Sequence, residues 1–352
     1  MQADYLIIGQ GISGTLLSRS LQQEGATVIV IDNGDPASAS RVASGIINPV
    51  TGKRLVRTWL AELLLPFAWD TYMAIGQETR TAIVRKCSIL DMHLTREAQS
   101  IFEDKQPTES EYLHSLQDTG TCAPYFRYNY GIGEIAPALL VDVNTLLTAW
   151  RERLKANDVL IEEQFTIADL IVDTDSVIYK HITAKKIIFC DGAVCAENPY
   201  FNMLPWSKDK GEALILSIPG LPQDHIYRQG LSVVPWKDDL FCAGATHDWR
   251  FTDMEPTVAY SAKVEEHLSY WLRLPYTIVD HLVARRPVNT DRKPFIGLHP
   301  VHTSVGIFNG MGTKGCSAAP WFAHQLARYL VRQSPLMPDV DVRRFTRILS
   351  RQ

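Results

Sequence analysis

The 352-residue sequence has no Cys-x-x-Cys pair and no His/Cys cluster at metal-ligand spacing. Its six cysteines (Cys87, Cys122, Cys190, Cys195, Cys242 and Cys316) are scattered, which excludes a zinc scaffold and a dithiol redox motif, so no metal site is expected. Buried or free thiols in a reducing compartment are the plain reading. No apolar run is long enough to span a membrane, and a strand-like run begins at residue 4, leaving no room for a secretory leader. A cytoplasmic protein without membrane contact is therefore expected. Positive charge is also missing: 35 Lys and Arg stand against 39 Asp and Glu, net −4, so a general grip on nucleic acid is not expected. Tandem repeats and low-complexity tracts are absent. What remains, 46% hydrophobic and 21% charged residues, is ordinary globular composition, in a chain long enough for two cores.

The densest signal lies between Asp4 and Asp32. Tyr5 to Ile8 is a short apolar run suited to a buried parallel strand. Gly9, Gly11 and Gly14 follow as G-x-G-x-x-G, with Ile12 and Ser13 between the last two. Leu16, Leu17 and Leu21 recur at helical spacing, and Thr27 to Ile31 is β-branched and apolar. Asp32 falls 18 residues after Gly14 and is followed by Asn33; a dinucleotide fingerprint places an acid about 20 residues on. Each type has a task. Gly9 permits the tight turn, Gly11 lets a pyrophosphate approach the backbone, and Gly14 lets helix and strand pack closely. The phosphates would meet free N–H groups at the positive end of the helix, and Asp32 would accept from ribose hydroxyls.

Beyond Asp32, NGDPASASRVASGIINPVTGKR is too long for a simple connection and reads as a functional loop. Leu60 to Ile75 reads as a helix. Ile83 to Ile135 is mixed, with short strands flanking a polar excursion from Glu103 to Asp118. DVNTLLTAWRERLKAND predicts a helix with Asn144 as its N-cap. KIIF, at Lys186 to Phe189, is a further buried strand and runs into Cys190-Asp191-Gly192. Three strand-like runs follow Lys210, then a helix over Thr257 to Leu274. A last strand at Ser304 to Phe308 leads to a second glycine turn, NGMGTKG, and a helix from Pro320 to Val331. Helix-then-strand grammar thus stops and resumes, which implies a discontinuous nucleotide-binding domain.

Together these segments resemble the flavoprotein family of D-amino-acid oxidase, glycine oxidase and sarcosine oxidase. The match rests on the fingerprint, ASGIINP, KGEAL, CAGATHDW, and RPVNTDRKPFIG with NGMGTKGCSAAP. The resemblance implies an α/β, glutathione-reductase-type FAD fold. Its Rossmann-like FAD-binding domain would comprise 1–80, 137–205 and 284–352. The inserted antiparallel-sheet substrate domain would comprise 81–136 and 206–283. It further implies noncovalent FAD, Cys316 being offset from the family's attachment site. The pyrophosphate would lie on the turn from Gly9 to Gly14, including Ile12 and Ser13, with Asp32 and Asn33 at the ribose. Ser40, Arg41, Ser44, Gly45, Ile46 and Ile47 match the loop beside the flavin. Thr166 matches a backbone contact to adenine, and Cys190, Asp191 and Gly192 match a small-residue turn over the dinucleotide. Met311, Gly312, Thr313, Lys314 and Gly315 match the segment closing on the flavin pyrimidine.

For chemistry the resemblance offers Arg286, with its neighbour Arg285 as competitor, to pair with a substrate carboxylate. His247 matches a pocket-lining position with a lesser prospect of proton transfer. Hydride transfer from an amine needs no strong base, so no catalytic dyad is required. Three residues depart from the family pattern: Ser232 for a pocket tyrosine, Val194 for a tryptophan, and Asp32 for glutamate. The leading expectation is oxidation of the C–N bond of a small amino acid or secondary amine to an imine that hydrolyses, with O2 as acceptor in a true oxidase. The alternatives are removal of a carboxymethyl group from a modified tRNA uridine, and a flavin-binding protein without turnover.

Overall fold

The computed structural model describes residues 1–116 and 119–351, so the last two residues of the expected Glu103–Asp118 excursion lie outside it. Two large sheets organise the chain. The first begins with β1 (Gln2–Ile8), α1 (Ile12–Gln23) and β2 (Val28–Ile31). Its parallel core runs Leu160–Ile161, β2, β1, Ile182–Phe189, Val305–Asn309. Tyr5–Ile8 and Val28–Ile31 are buried throughout, as strands covered on both faces must be. One face packs on α1 and on the helices Ala61–Thr79, Val143–Ala156 and Gly315–Arg332. The other packs on Phe201, Leu204 and the C-terminal Val342 and Leu349. The Phe165–His181 stretch forms a small antiparallel hairpin, Leu170–Val172 with Val177–Tyr179.

The second sheet is mixed. Its order is Thr277–Arg285, Lys210–Ser217, Leu240–Gly244, Leu231–Pro235, His225–Gln229, Val84–Met92, Ile132–Val141, Ile46–Ile47. All neighbours on this path are antiparallel except His225–Gln229 with Val84–Met92, which run parallel. Along Lys210–Ser217 side chains alternate between faces. Leu214 and Leu216 pack with the helix Val258–Trp271 through Val264, Leu268 and Trp271. Ala213 and Ile215 pack with Val50 and Leu55, at the end of the long loop that follows Asp32. Ile46 and Ile47 pair with Leu140 and Leu139, so that loop is tied into the second sheet while its start stays with the first.

Three local readings change. Arg96–Lys105 is a helix in the stretch read as mixed, reaching into the expected excursion only from Glu103; Thr95 caps it by accepting from the Ala98 N–H, and Phe102 is buried against Gly133. The helix Val143–Ala156 is capped by Asp142, not Asn144. Asp142 accepts from the Thr145 N–H at 2.9 Å and its hydroxyl at 2.6 Å, while Asn144 donates to the Arg41 carbonyl at 2.9 Å. The terminal helix starts at Gly315, ahead of Pro320. Pro320 has no N–H for the Cys316 carbonyl, and the Tyr72 hydroxyl takes that place at 2.7 Å.

Replacing Asp142 by Ala is expected to cost about 1 kcal/mol, the usual loss of an N-cap acceptor. Thermal denaturation checks it: Asp142→Ala should melt lower than the wild type, and Asn144→Ala should lose less.

Candidate functional site

The first glycine turn is held by contacts that admit no side chain. Gly9 has φ +96°, and a Cβ there would lie 2.6 Å from the Cys190 carbonyl oxygen. A Cβ on Gly14 would stand 1.8 Å from the Gly9 carbonyl oxygen. α1 therefore starts directly against the end of β1 and the Cys190 turn. Gly11 is its N-cap and offers no side-chain acceptor; the Ile12 N–H donates to Ser40 Oγ at 3.0 Å. N–H groups of a first helical turn have no intrahelical partner, and they gather at the positive end of the dipole. Such a terminus is suited to phosphate oxygens.

The second glycine turn meets the first. Asn309 donates to Asp191 Oδ1 at 3.1 Å and to the Gly192 carbonyl at 2.9 Å. A Cβ on Gly315 would lie 3.2 Å from Ile12 Cγ2. Met311 is buried in the core, Gly312 donates its N–H to the Pro287 carbonyl at 3.0 Å, and Thr313 is exposed. Lys314 is mostly buried, has no acidic partner among the described residues, and burial pushes its ammonium below the usual lysine range. Asp191 is pushed up to about 6 by burial, against the pull of bonds from Cys195, Asn309 and Asn198. Burial also drives the Cys190 thiol well up and the Cys316 thiol to about 12.

Asp32 stands at the end of β2, in a network the sequence did not reveal. Its Oδ2 accepts the Gln10 N–H at 2.8 Å; its Oδ1 accepts the Gly34 N–H at 2.8 Å and Arg151 Nη1 at 2.6 Å. Arg151 also donates to Glu162 Oε1 at 2.9 Å and Gln10 Oε1 at 3.2 Å. Asn33 donates to Gln164 at 2.7 Å, two residues before Thr166. Thr166 is exposed, and its N–H donates to the Tyr179 hydroxyl at 3.3 Å. Ser40 and Arg41 lie on the short helix Ala39–Val42, and Ser44 and Gly45 lead into the Ile46–Ile47 strand. A cleft of about 240 Å³ borders this loop, lined by Ser44, Asn144, Arg85 and Trp236 among others, and does not include Arg286 or His247.

The two arginines expected to compete for a substrate carboxylate separate clearly. Arg285 reaches Glu197 at 3.1 Å. Arg286 lies over Gly211, whose Cβ, if present, would stand 2.0 Å from Nη2. Gly211 shares its face with Ala213 and Ile215, the face that carries Val50 and Leu55. Arg286 Nη1 donates to Asp209 Oδ2 at 3.0 Å and to the Thr246 carbonyl at 2.9 Å. His247 Nδ1 lies 3.0 and 3.2 Å from the two Asp209 oxygens. Asp209 is 1% exposed, and it was missed. It sits in the polar run SKDKGEAL, which reads as a solvated turn. Tyr227 is core on the opposite face of the sheet, while Trp249 is 66% exposed beside His247. Lys53 and Arg54 are exposed at the tip of the hairpin formed by Val50–Thr51 and Val56–Arg57.

From Asp32, past the start of α1, to the 309–315 turn runs a path suited to an extended dinucleotide whose far ring would face the second sheet. That is the arrangement of flavin-dependent oxidoreductases. The chain belongs to the FAD-dependent oxidoreductase (DAO) family, which matches residues 4–329. It is 22% identical over 364 residues to the uncharacterized oxidoreductase YurR of Bacillus subtilis (strain 168), covering 93% of this chain and 94% of that one. Its fold is that of iminodiacetate oxidase (IdaA) from Chelativorans sp. BNC1, with TM-score 0.76, 21% identity and 98% of both chains covered. Glycine oxidase from Geobacillus kaustophilus superimposes with TM-score 0.79 at 17% identity, covering 95% of this chain and 96% of that one. No helix among the described residues is long and apolar enough to cross a membrane.

The raised Asp191 value carries a pH sign. A carboxyl that binds its proton more tightly when folded adds stability at pH below the unfolded value of 3.8, lost as pH rises through about 6. Asp191→Asn is expected to melt above the wild type at about pH 8 and to lose that advantage at about pH 4, by calorimetry of the FAD-free protein.

Proposed function

We propose that the protein oxidises the C–N bond of a small amine bearing a carboxylate on the neighbouring carbon, using noncovalent FAD. The observation that carries this is Arg286. One of its nitrogens, Nη1, is committed to Asp209 and Thr246, while Nε and Nη2 have no protein acceptor among the described residues. The side chain is 15% exposed, so a carboxylate on that edge would be gripped in a largely desolvated place. Iminodiacetate and glycine, in the names of the similar solved structures, both carry a carboxylate next to the amine-bearing carbon.

The residues suit FAD. The turn from Gly9 to Gly14, with Ile12 and Ser13, offers N–H groups to the pyrophosphate, and Cys190, Asp191 and Gly192 wall the same turn. Asp32 Oδ2 keeps a lone pair for a ribose hydroxyl, with Asn33 beside it, and the Thr166 backbone lies toward the adenine end. Ser40, Arg41, Ser44, Gly45, Ile46 and Ile47 run beside the ring system. Met311, Gly312, Thr313, Lys314 and Gly315 close the pyrimidine end. The Cys316 thiol, buried and raised to about 12, is a poor nucleophile, which supports noncovalent attachment. FAD, when bound, accepts a hydride from the substrate α-carbon. Arg286 fixes the carboxylate so that this carbon is presented in one orientation. Lys314 and the N–H groups of the second turn supply positive potential where the ring gains charge. O2 is the acceptor in this reading, and the product imine hydrolyses in water. His247 lines the pocket beside Arg286.

Purified protein, reconstituted with FAD, is to be mixed anaerobically with glycine, sarcosine, iminodiacetate, D-amino acids, proline and, separately, tRNA bearing a carboxymethylaminomethyl-uridine, while the flavin absorbance is followed. Bleaching by a small amine supports the proposal. Bleaching only by modified tRNA transfers the activity to the uridine reading, and a yellow protein that nothing reduces overturns both. Arg286→Leu is expected to raise KM for carboxylate substrates about 30-fold or more, the loss of at least about 2 kcal/mol of charged hydrogen bonding; an unchanged KM would dismiss Arg286. Lys314→Met is expected to weaken FAD about tenfold, near 1.4 kcal/mol, in a fluorescence titration of the FAD-free protein.

A further inference from the structure

We propose that Asp209 and His247 form a positioning residue and a base that together take the ammonium proton of the substrate before its hydride leaves. The inference rests on the function proposed above and adds the step that function leaves open. An amino acid at neutral pH carries a protonated amine, and a hydride cannot depart from the carbon next to an ammonium group, because the nitrogen has no lone pair to form the imine.

The assignment follows from counting hydrogens. Arg286 Nη1 has two, and both are placed: one on Asp209 Oδ2 at 3.0 Å, one on the Thr246 carbonyl at 2.9 Å. The approach of Nη1 to His247 Nδ1, at 3.3 Å, therefore has no hydrogen left to share. Nδ1 faces both Asp209 oxygens, at 3.0 and 3.2 Å, and a bare lone pair there would meet a carboxylate with nothing between them. Nδ1 therefore carries the proton and donates it to Asp209, and in the neutral ring Nε2 is the acceptor. Asp209 is held from behind, its carbonyl accepting the Arg286 N–H at 2.8 Å, and its side chain is 2% exposed, so the imidazole is aimed by a fixed group. The His247 side chain is 49% exposed, which leaves the Nε2 edge open to ligand and to water.

A carboxylate held by Nε and Nη2 would share the Arg286 guanidinium with this imidazole, whose Nδ1 lies 3.3 Å from Nη1, and the proposal requires the amine, one carbon further on, to turn toward Nε2. The ammonium N–H bond breaks, the proton bonds to Nε2, and the electron pair stays on nitrogen. Asp209 stabilises the imidazolium, which then returns its proton to water through the exposed edge. Besides Asp209 and Arg286, the charged groups near His247 on its own loop are Asp248, which accepts the Arg250 N–H at 2.8 Å, and Arg250 itself.

The test compares flavin reduction rates of the holoenzyme and its His247→Gln and Asp209→Asn variants, with whichever amine of the panel reduces the unaltered protein. Runs span about pH 7 to about pH 10, over which an amine sheds its own proton. His247→Gln, an exposed position, is expected to reduce about a hundredfold more slowly at the low end and to approach the unaltered rate at the high end, with KM little changed. Asp209→Asn should show the same rescue by pH. A rate ratio that stays constant across pH, as a merely structural defect would give, overturns the proposal, as does an unimpaired His247→Gln. A second measurement is independent of turnover: the ¹⁵N spectrum of labelled histidine should place the neutral His247 proton on Nδ1 in the unaltered protein, and a proton on Nε2 there overturns it. Failure of every amine to reduce the unaltered enzyme is the separate failure of the function proposed above.

Discussion

Everything at the candidate flavin site depends on Asn309. Its one amide group donates to Asp191 and to the Gly192 carbonyl, and so draws the second glycine turn against the first. Around that junction no Cβ fits at Gly9 or Gly14, and Gly315 comes within reach of Ile12. The helix starts at Ile12 and Gly315 are thus brought together, the Gly315 backbone against the Ile12 side chain. Two positive dipole ends crowd together there, with a buried lysine between the turns. Such a gathering of positive potential suits an anionic ligand.

The second sheet handles buried charge differently on its two faces. On one, Lys210 and Glu212 lie within 3.6 Å, and Glu212 accepts from the Thr257 N–H and hydroxyl at the start of the helix Val258–Trp271. On the other, Asp209 holds Arg286 and His247 together. Asp209, Lys210 and Glu212, polar residues of one short segment, therefore fix both the helix behind the sheet and the Arg286–His247 cluster in front of it. Thr246 joins the two: its hydroxyl accepts the Glu212 N–H at 3.0 Å and its carbonyl accepts from Arg286.

What the sequence disclosed was local. Glycine sterics, helical spacing and β-branched runs act within a few residues, so the fingerprint, the late glycine turn, the fold class and the family could be read directly. What it concealed was non-local. Asp209 meets its partners 38 and 77 residues away, and Arg151 meets Asp32 across 119, distances over which no spacing rule operates. The mistaken cap at Asn144 has a different cause. Asp142 and Asn144 are both competent caps two residues apart, and the choice falls to whichever is not drawn elsewhere, here by the Arg41 carbonyl. The helix Arg96–Lys105 was obscured because Phe102 is its only buried residue, which leaves no apolar stripe to recognise.

The contact of Gly315 with Ile12 joins segments that lie 303 residues apart in the sequence. During synthesis, the N-terminal half of the dinucleotide cradle leaves the ribosome long before its closing half exists. The two-turn junction is therefore complete only once the 309–315 turn has emerged, and a product stalled before that point lacks it however well its first strands have folded.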